Sequence, residues 1–399
     1  MRILRSERLA AALLLSAAVL GLVVANSPFG PAVIDAMDHH LEMPALGLDL
    51  SAAHWISDGL LAVFFFVVAV ELKRELVIGE LNSFSNALLP ALAALGGVIA
   101  PALVYLGFAA GSETVTGWPI PTATDIAFAL GVLAVFGRWI PTRVRVFLLA
   151  LAVIDDLIAI LIIAFFFTTD ASLGSLGFAT IAIALFGSVS RVLRPRSEWI
   201  LARRRQWPIV AILVVLAVLA WYFVYRSGVH ATIAGVALGL VMSRRPGGRA
   251  AHELEPWSNG VILPLFALTA AMVPIPQVQP AQLDPAFWGI LVGLPVGKVV
   301  GIVAAGLLGS MIARRRSGTR LTLADLAVVG ALGGIGFTVA LLMNELAFAS
   351  LGDVRDQGTL AVLLGSGIAI VLSAVVVSLR SRHYRRRGEH AGTGGPFSH

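Results

Sequence analysis

The chain has no cysteine among its 399 residues. That excludes disulfide frameworks, thiolate metal sites and cysteine nucleophiles. Charge is also scarce: Asp, Glu, Lys and Arg together make up 13%, against roughly 25% in ordinary soluble domains. Lysine is nearly missing, with Lys73 and Lys298 the only two, so the 29 basic residues are almost all arginine. Hydrophobic residues fill the gap, at 58% with a mean hydropathy of +0.89. A soluble core has no use for that much apolar surface. The composition predicts an all-α polytopic membrane protein.

A membrane-spanning helix needs about 20 apolar residues. Twelve stretches are expected to span, at 9–26, 55–75, 84–109, 118–137, 146–168, 172–190, 207–225, 227–243, 257–275, 286–312, 326–348 and 358–379. The first lacks a small-residue cleavage site and is read as a retained span rather than a signal peptide. Twenty-six of the 29 bases fall in one alternate set of loops and tails. Arg226 and Arg355 lie in the other set, and Lys298 lies inside a span. Cytoplasmic loops collect Lys and Arg, so both termini are expected in the cytoplasm. Bases spread over seven loops with little aromatic interleaving do not make a nucleic-acid surface. The expected partner is membrane lipid. Residues 1–387 read as one transmembrane domain. The small, polar residues 388–399 read as a disordered tail.

The informative residues are ionisable ones within spans. Asp125 lies in span 4, Asp155 and Asp156 in span 5, and Lys298 in span 10. Asp58 and Glu71 sit nearer the ends of span 2, and His230 near the start of span 8. A central charge costs ~3 kcal/mol on insertion scales, so four cost on the order of 12 kcal/mol before pairing. One reading makes them internal ion pairs, with Lys298 the obvious partner for an aspartate. Adjacent carboxylates repel, however, so Asp155-Asp156 makes a poor structural device. The pair does suit a bound cation or protons. Small hard cations such as Na+ and Li+ prefer oxygen ligands. The candidates are the carboxylates of Asp155 and Asp156, the Thr124 hydroxyl, backbone carbonyls and water. No cofactor is expected. A free aspartate keeps its proton only below about pH 3.9. Exchange of Na+ for H+ near neutral pH therefore requires burial and like-charge repulsion to tighten the proton's hold. Such a pair titrates as a unit. Releasing two protons per Na+ would move net charge and make exchange voltage-sensitive.

Two spans carry helix breakers. Span 4 opens PTATDIAFALG at 121–131, where Pro121 and two threonines interrupt regular helix. Span 11 contains GGIGFT at 333–338, with Gly333, Gly334 and Gly336. Glycines in membrane helices also serve close packing. The alternative is a matched pair of broken helices in two related halves, spans 3–5 and 10–12, around a midplane site. Asp125 would then face helix N-terminal ends and Lys298 the C-terminal ends.

The strings ATDIAFALG at 123–131, AVIDDL at 152–157, SGVHATIAGV at 227–236, ILPLFAL at 262–268, Gly297-Lys298 and GGIGFT occur in order along nearly the whole chain. Together they resemble the NhaA family of bacterial Na+/H+ antiporters. The resemblance implies about twelve helices with inverted repeats and crossed, interrupted helices 4 and 11, in the bacterial inner membrane. It implies that Asp155 and Asp156 carry Na+ (or Li+) and protons, with Asp156 the likelier direct ligand. Asp125 and Thr124 would support the site. Lys298 would pair with Asp155 or balance helix dipoles. The family is switched on by alkaline pH. Glu71, Lys73, Arg74 and Glu75 match its cytoplasmic ionisable cluster, and His230 matches a histidine of the pH response. Before Pro256 this chain reads AHELE, which departs from the family pattern. Glu253 and Glu255 are expected to substitute there. The loop at 41–54 is short for the β-hairpin that joins family members as dimers, although Pro44 and Gly47 allow a turn, so a homodimer is expected.

Two other classes fit less well. An intramembrane aspartyl protease needs two aspartates on facing helices, and here they are adjacent on one. A passive cation channel favours symmetric rings of carbonyls or charges and has no need of a proton-titrating pair.

Overall fold

The computed structural model describes residues 7–44, 47–79, 81, 84–168, 172–193, 206–276, 279–313 and 321–387. The expected tail at 388–399 lies outside the described residues. So do many arginines of the loops around 194–205 and 314–320. The described chain is mostly helical. In order it forms α1 (Glu7–Ala25), α2 (Gly30–Met37), a hairpin of β1 (His40–Met43) and β2 (Leu48–Ser51), α3 (Ala52–Ile78) and α4 (Phe84–Ala109). A broken segment follows, with short 3-10 turns between Glu113 and Thr122 and then α5 (Ile126–Phe136). Next come α6 (Thr142–Phe166), α7 (Leu173–Ser190), α8 (Trp207–Arg226), α9 (Thr232–Val241), α10 (Arg244–Trp257), α11 (Leu263–Ala270) and α12 (Pro285–Met311). A second broken segment is α13 (Leu323–Gly333) and α14 (Phe337–Ala347), and α15 (Gly352–Arg386) ends the described chain.

Helices dominate because lipid offers backbone groups no hydrogen-bond partners, so each span must satisfy its own. Among the described residues, seven helices are long and apolar enough to cross a membrane, and up to ten if each bent pair counts as one span. The expected multi-span, all-α membrane fold is met, with individual spans that differ in length. The expected span at 227–243 is the ten-residue α9, about 15 Å long and half a bilayer core. Gly228 takes a left-handed φ of +79°, so helix starts only after it. The expected span at 257–275 ends early, at Ala270. Large apolar side chains repeat along exposed faces, as at Val210, Val214 and Val218 of α8 and Ile368, Val371 and Val375 of α15. That spacing gives a continuous outward stripe, which suits lipid.

The chain forms two compact units, one of Leu13–Gly79 with Ile160–Met272, the other mainly of 80–159 with the chain after Met272. In the first, α9 lies tightly on α3. A Cβ on Gly235 would strike the Ala62 backbone, and one on Gly239 would lie 2.6 Å from the Phe66 carbonyl oxygen. Ala182, Phe186, Leu213, Ala220, Leu238 and Met242 build a buried core of α7, α8 and α9. The loop expected to be short for a hairpin nevertheless forms one. His40 pairs with Ser51 and Met43 with Leu48, and Gly47 turns the chain at φ +60°. Four residues per strand suffice because β2 buries Leu48 and Leu50 while β1 stays exposed.

In the second unit, α4 and α12 cross at Gly96 and Gly301, whose backbones leave no room for a side chain. Gly293 and Gly297 of α12 fit against Pro121 and Pro101. Between them Pro295 lies in a π-helical turn, Gly293–Gly297, directly before Lys298. Single π turns inside helices are frequent at functional sites.

Candidate functional site

Both breaks fall where the glycine and proline pattern predicts. The first broken segment bends by 41° and the second by 51°. Around the breaks the chain is extended or irregular, which frees backbone groups that lipid cannot serve. The two breaks serve each other. The Asp125 N–H donates to the Ile335 carbonyl at 2.6 Å. Thr124 Oγ1 donates to the Gly333 carbonyl at 2.8 Å, occupying the C-terminal end of α13.

Asp125 caps two helices at once. Its Oδ1 accepts from the N–H groups of Ala127 and Phe128 at 3.1 and 3.2 Å, the first turn of α5. Its Oδ2 accepts from the Thr338 N–H at 3.1 Å and the Thr338 hydroxyl at 2.8 Å, in the first turn of α14. A helix N-terminus carries roughly +0.5 of charge. Two of them against one carboxylate explain how Asp125 can be 4% exposed with no basic side chain bonded to it among the described residues.

Lys298 is fully buried, and Asp155 is 1% exposed. Lys298 Nζ donates to Asp155 Oδ2 at 2.7 Å and to Thr124 Oγ1 at 2.8 Å. Lys298 thus contacts Asp155 directly and, through Thr124, reaches the carbonyl at the C-terminal end of α13. Asp155 Oδ1 is buried and has no hydrogen-bond partner among the described residues. Asp156, next along α6, is partly buried, and its charge reaches Lys298. Among the described residues no group of three or more His, Cys, Asp or Glu gathers as a metal centre. The donor atoms gathered around Lys298 are carboxylate and hydroxyl oxygens, which suit a hard cation rather than a soft one. Gly333, Gly334 and Gly336 are packed without room for a Cβ. One at Gly336 would sit 2.7 Å from the Ala123 carbonyl oxygen, and one at Gly334 would sit 2.9 Å from that of Leu294.

The residues expected in the pH response lie in the other unit. Glu255, Arg74 and Glu75 are within electrostatic reach of Glu71. Glu253 is exposed on α10. Lys73 does something else: its Nζ donates to the carbonyls of Leu240 and Met242, both at 2.7 Å. It caps the C-terminal end of α9. His230 Nε2 lies 3.4 Å from Asp58 Oδ1, and its Nδ1 lies 2.9 Å from Thr232 Oγ1.

Sequence reasoning missed Thr338 as a partner of Asp125. Its signal was present, a hydroxyl two residues after the last glycine of GGIGFT. It also missed a cluster of Asp325, Arg380 and Tyr384, because Asp325 falls at the edge of an apolar run.

A family model described as Na+/H+ antiporter 1 matches residues 1–377. A protein named Na(+)/H(+) antiporter NhaA 2, of Clavibacter michiganensis subsp. michiganensis, is 61% identical over 391 residues, covering 98% of this chain and 94% of that protein. Na(+)/H(+) antiporter NhaA of Tropheryma whipplei (strain Twist) is 45% identical over the full length of both chains. Na(+)/H(+) antiporter NhaA 3 of Streptomyces coelicolor is 44% identical, covering 96% of this chain and 80% of that protein.

Proposed function

Because the chain belongs to the Na+/H+ antiporter 1 family, a family of multi-pass membrane transporters rather than enzymes, we propose that it exchanges cytoplasmic Na+ or Li+ for external H+ at Asp155 and Asp156. The observation that carries this reading is Asp155 Oδ1, a buried carboxylate oxygen left without a hydrogen-bond partner while Oδ2 is held by Lys298. A buried orphan of that kind is costly unless something binds it. A cation or a proton serves equally, and one pocket cannot hold both. Alternating its exposure then couples the two fluxes. Asp125, Thr124 and Lys298 hold the two breaks in register around the pair, and spans 3–5 and 10–12 act as inverted repeats with a break in each. The exchange is electrogenic and supports sodium and pH homeostasis. A protease would need its aspartates on facing helices, and both lie on α6.

The protein sits in the bacterial inner membrane with both termini in the cytoplasm, on the strength of where its bases fall. Alkaline pH switches it on through Glu71, Arg74, Glu75 and Glu255, with the Asp58–His230 contact as a modulator. The exposed edge of β1 supports a dimer by strand addition.

Everted vesicles carrying the protein are expected to lose an imposed ΔpH on addition of Na+ or Li+, and Asp156→Asn to abolish that response with the protein still inserted. Retained exchange in this variant would move the site elsewhere. Na+ binding in detergent should release protons, so calorimetry in buffers of different ionisation enthalpy should give different heats. Heats independent of buffer would argue against competition for one site.

A further inference from the structure

A second polar cluster lies at the other end of α13, eight residues before the Gly333 carbonyl. Thr322 and Asp325 form a reciprocal cap there. Thr322 Oγ1 accepts from the Asp325 N–H at 3.2 Å, and Asp325 Oδ2 accepts from the Thr322 N–H at 3.1 Å. That alone would start the helix. The cluster goes further. Fully buried Asp325 also accepts at Oδ1 from Arg380 Nε at 2.9 Å and from the Tyr384 hydroxyl at 2.8 Å. Arg380 Nη2 donates to Thr322 Oγ1 at 2.8 Å and to the Tyr384 hydroxyl at 3.0 Å. Its guanidinium carbon stands 4.5 Å from the centre of the Tyr384 ring. Arg143, in the first turn of α6, donates to the same hydroxyl at 3.2 Å. Just before α6, the Trp139 N–H donates to Ser381 Oγ at 3.3 Å.

These bonds tie α13 and α6, the helices that carry Gly333 and Asp155, to α15. At 1.5 Å per residue, Asp325 is about 12 Å from Gly333 and Arg143 about 18 Å from Asp155 along their helices. α13 is eleven residues long and ends in a break. Its axial position has to be set from outside. A slide of about 1 Å would take the Gly333 carbonyl out of hydrogen-bond range of Thr124, and Thr124 is one of the two partners of Lys298 Nζ.

We propose that Asp325, Arg380 and Tyr384 are positioning residues for cation exchange: they anchor the first half of the broken helix so that Gly333 meets Thr124 and Lys298. This rests on the antiport reading of the site.

The test uses the full-length protein in proteoliposomes, with exchange followed across Na+ concentrations and thermal stability measured alongside. Arg380→Ala should raise the Na+ concentration for half-maximal exchange about tenfold, equal to ~1.4 kcal/mol, with the maximal rate per inserted protein kept. Arg380→Lys, which keeps the charge and loses the fork, should recover part of the loss. Tyr384→Phe, which keeps the ring and hence the fold, should shift the same parameter in the same direction by less. In a Thr124→Ala background, Arg380→Ala should add little, because contacts in one chain of bonds are not additive. An unchanged half-saturation with lowered thermal stability would make the cluster merely structural and overturn the proposal. So would fully additive effects with Thr124→Ala. Absence of exchange in the wild-type protein would refute the antiport reading, whereas wild-type exchange with unshifted variants refutes the anchor alone.

Discussion

Replacing Lys298 by Met tests whether the buried charges at the site compensate one another. Met has nearly the length of Lys and no charge, so the substitution removes the ammonium without opening a large cavity. The ammonium lies 2.7 Å from Asp155 Oδ2, with Lys298 fully buried and Asp155 1% exposed. Breaking a pair buried to that degree costs about 3–5 kcal/mol, since the remaining charge has no compensation. Removing both charges, as Asp155→Asn with Lys298→Met, should recover most of the loss, because deleting a whole buried pair is often neutral or better. Unfolding titrations in mixed micelles at pH 7 read both quantities. A single-variant loss below about 1 kcal/mol, or a double variant that falls by the sum of the two singles, would refute mutual compensation.

Three further outcomes follow from contacts in the structure. Thr338→Val removes one hydroxyl bond to the Asp125 carboxylate and leaves the backbone bond. It should cost about 1.5–3 kcal/mol in the same titrations, with Thr338→Ser losing far less. Gly235→Ala drives a methyl into the Ala62 backbone, which cannot turn aside as a side chain would. A loss of at least 1–3 kcal/mol is expected, seen as reduced stability of the purified protein. Gly177→Ala on α7 meets nothing within 4 Å and should instead gain about 0.5–1 kcal/mol, so equal effects at the two glycines would contradict the packing described here.

The site was legible where lipid makes a residue expensive. Asp125, Asp155, Asp156 and Lys298 stand out because an apolar span has no ordinary reason to hold a charge, and the breaks stand out because Pro121 and the glycines of GGIGFT cannot sit comfortably in regular helix. What stayed hidden was direction and partnership. Thr338 is one threonine among many, and nothing local says that its hydroxyl meets Asp125 from 213 positions away. Lys73 sits between Glu71 and Arg74 and reads as part of their cluster, yet its long stem carries the ammonium to the end of α9. Asp325 and Arg380 lie at the margins of spans, where charges are common and uninformative. The late start of α9 depends on which glycine takes a left-handed φ, and with 40 glycines in the chain composition does not single out Gly228.

The charges that the structure does bring together constrain the exchange itself. With Asp125, Asp155 and Asp156 ionised and Lys298 protonated, the site carries a formal −2. The two helix N-termini that Asp125 caps return about +1 between them, and the C-terminal end of α13 at Thr124 takes back about 0.5. The remaining deficit is between one and two positive charges, which one Na+ or one proton fills in part. A second proton is accommodated most readily on a carboxylate that can give up its present partner. Asp125 is held by four bonds from α5 and α14, and freeing it would undo both helix starts. Asp155 is held at one oxygen by a side chain with four rotatable bonds. If the proposed exchange moves two protons per Na+, Asp155 rather than Asp125 is the carboxylate placed to take the second, with Lys298 kept by Thr124 on its other side.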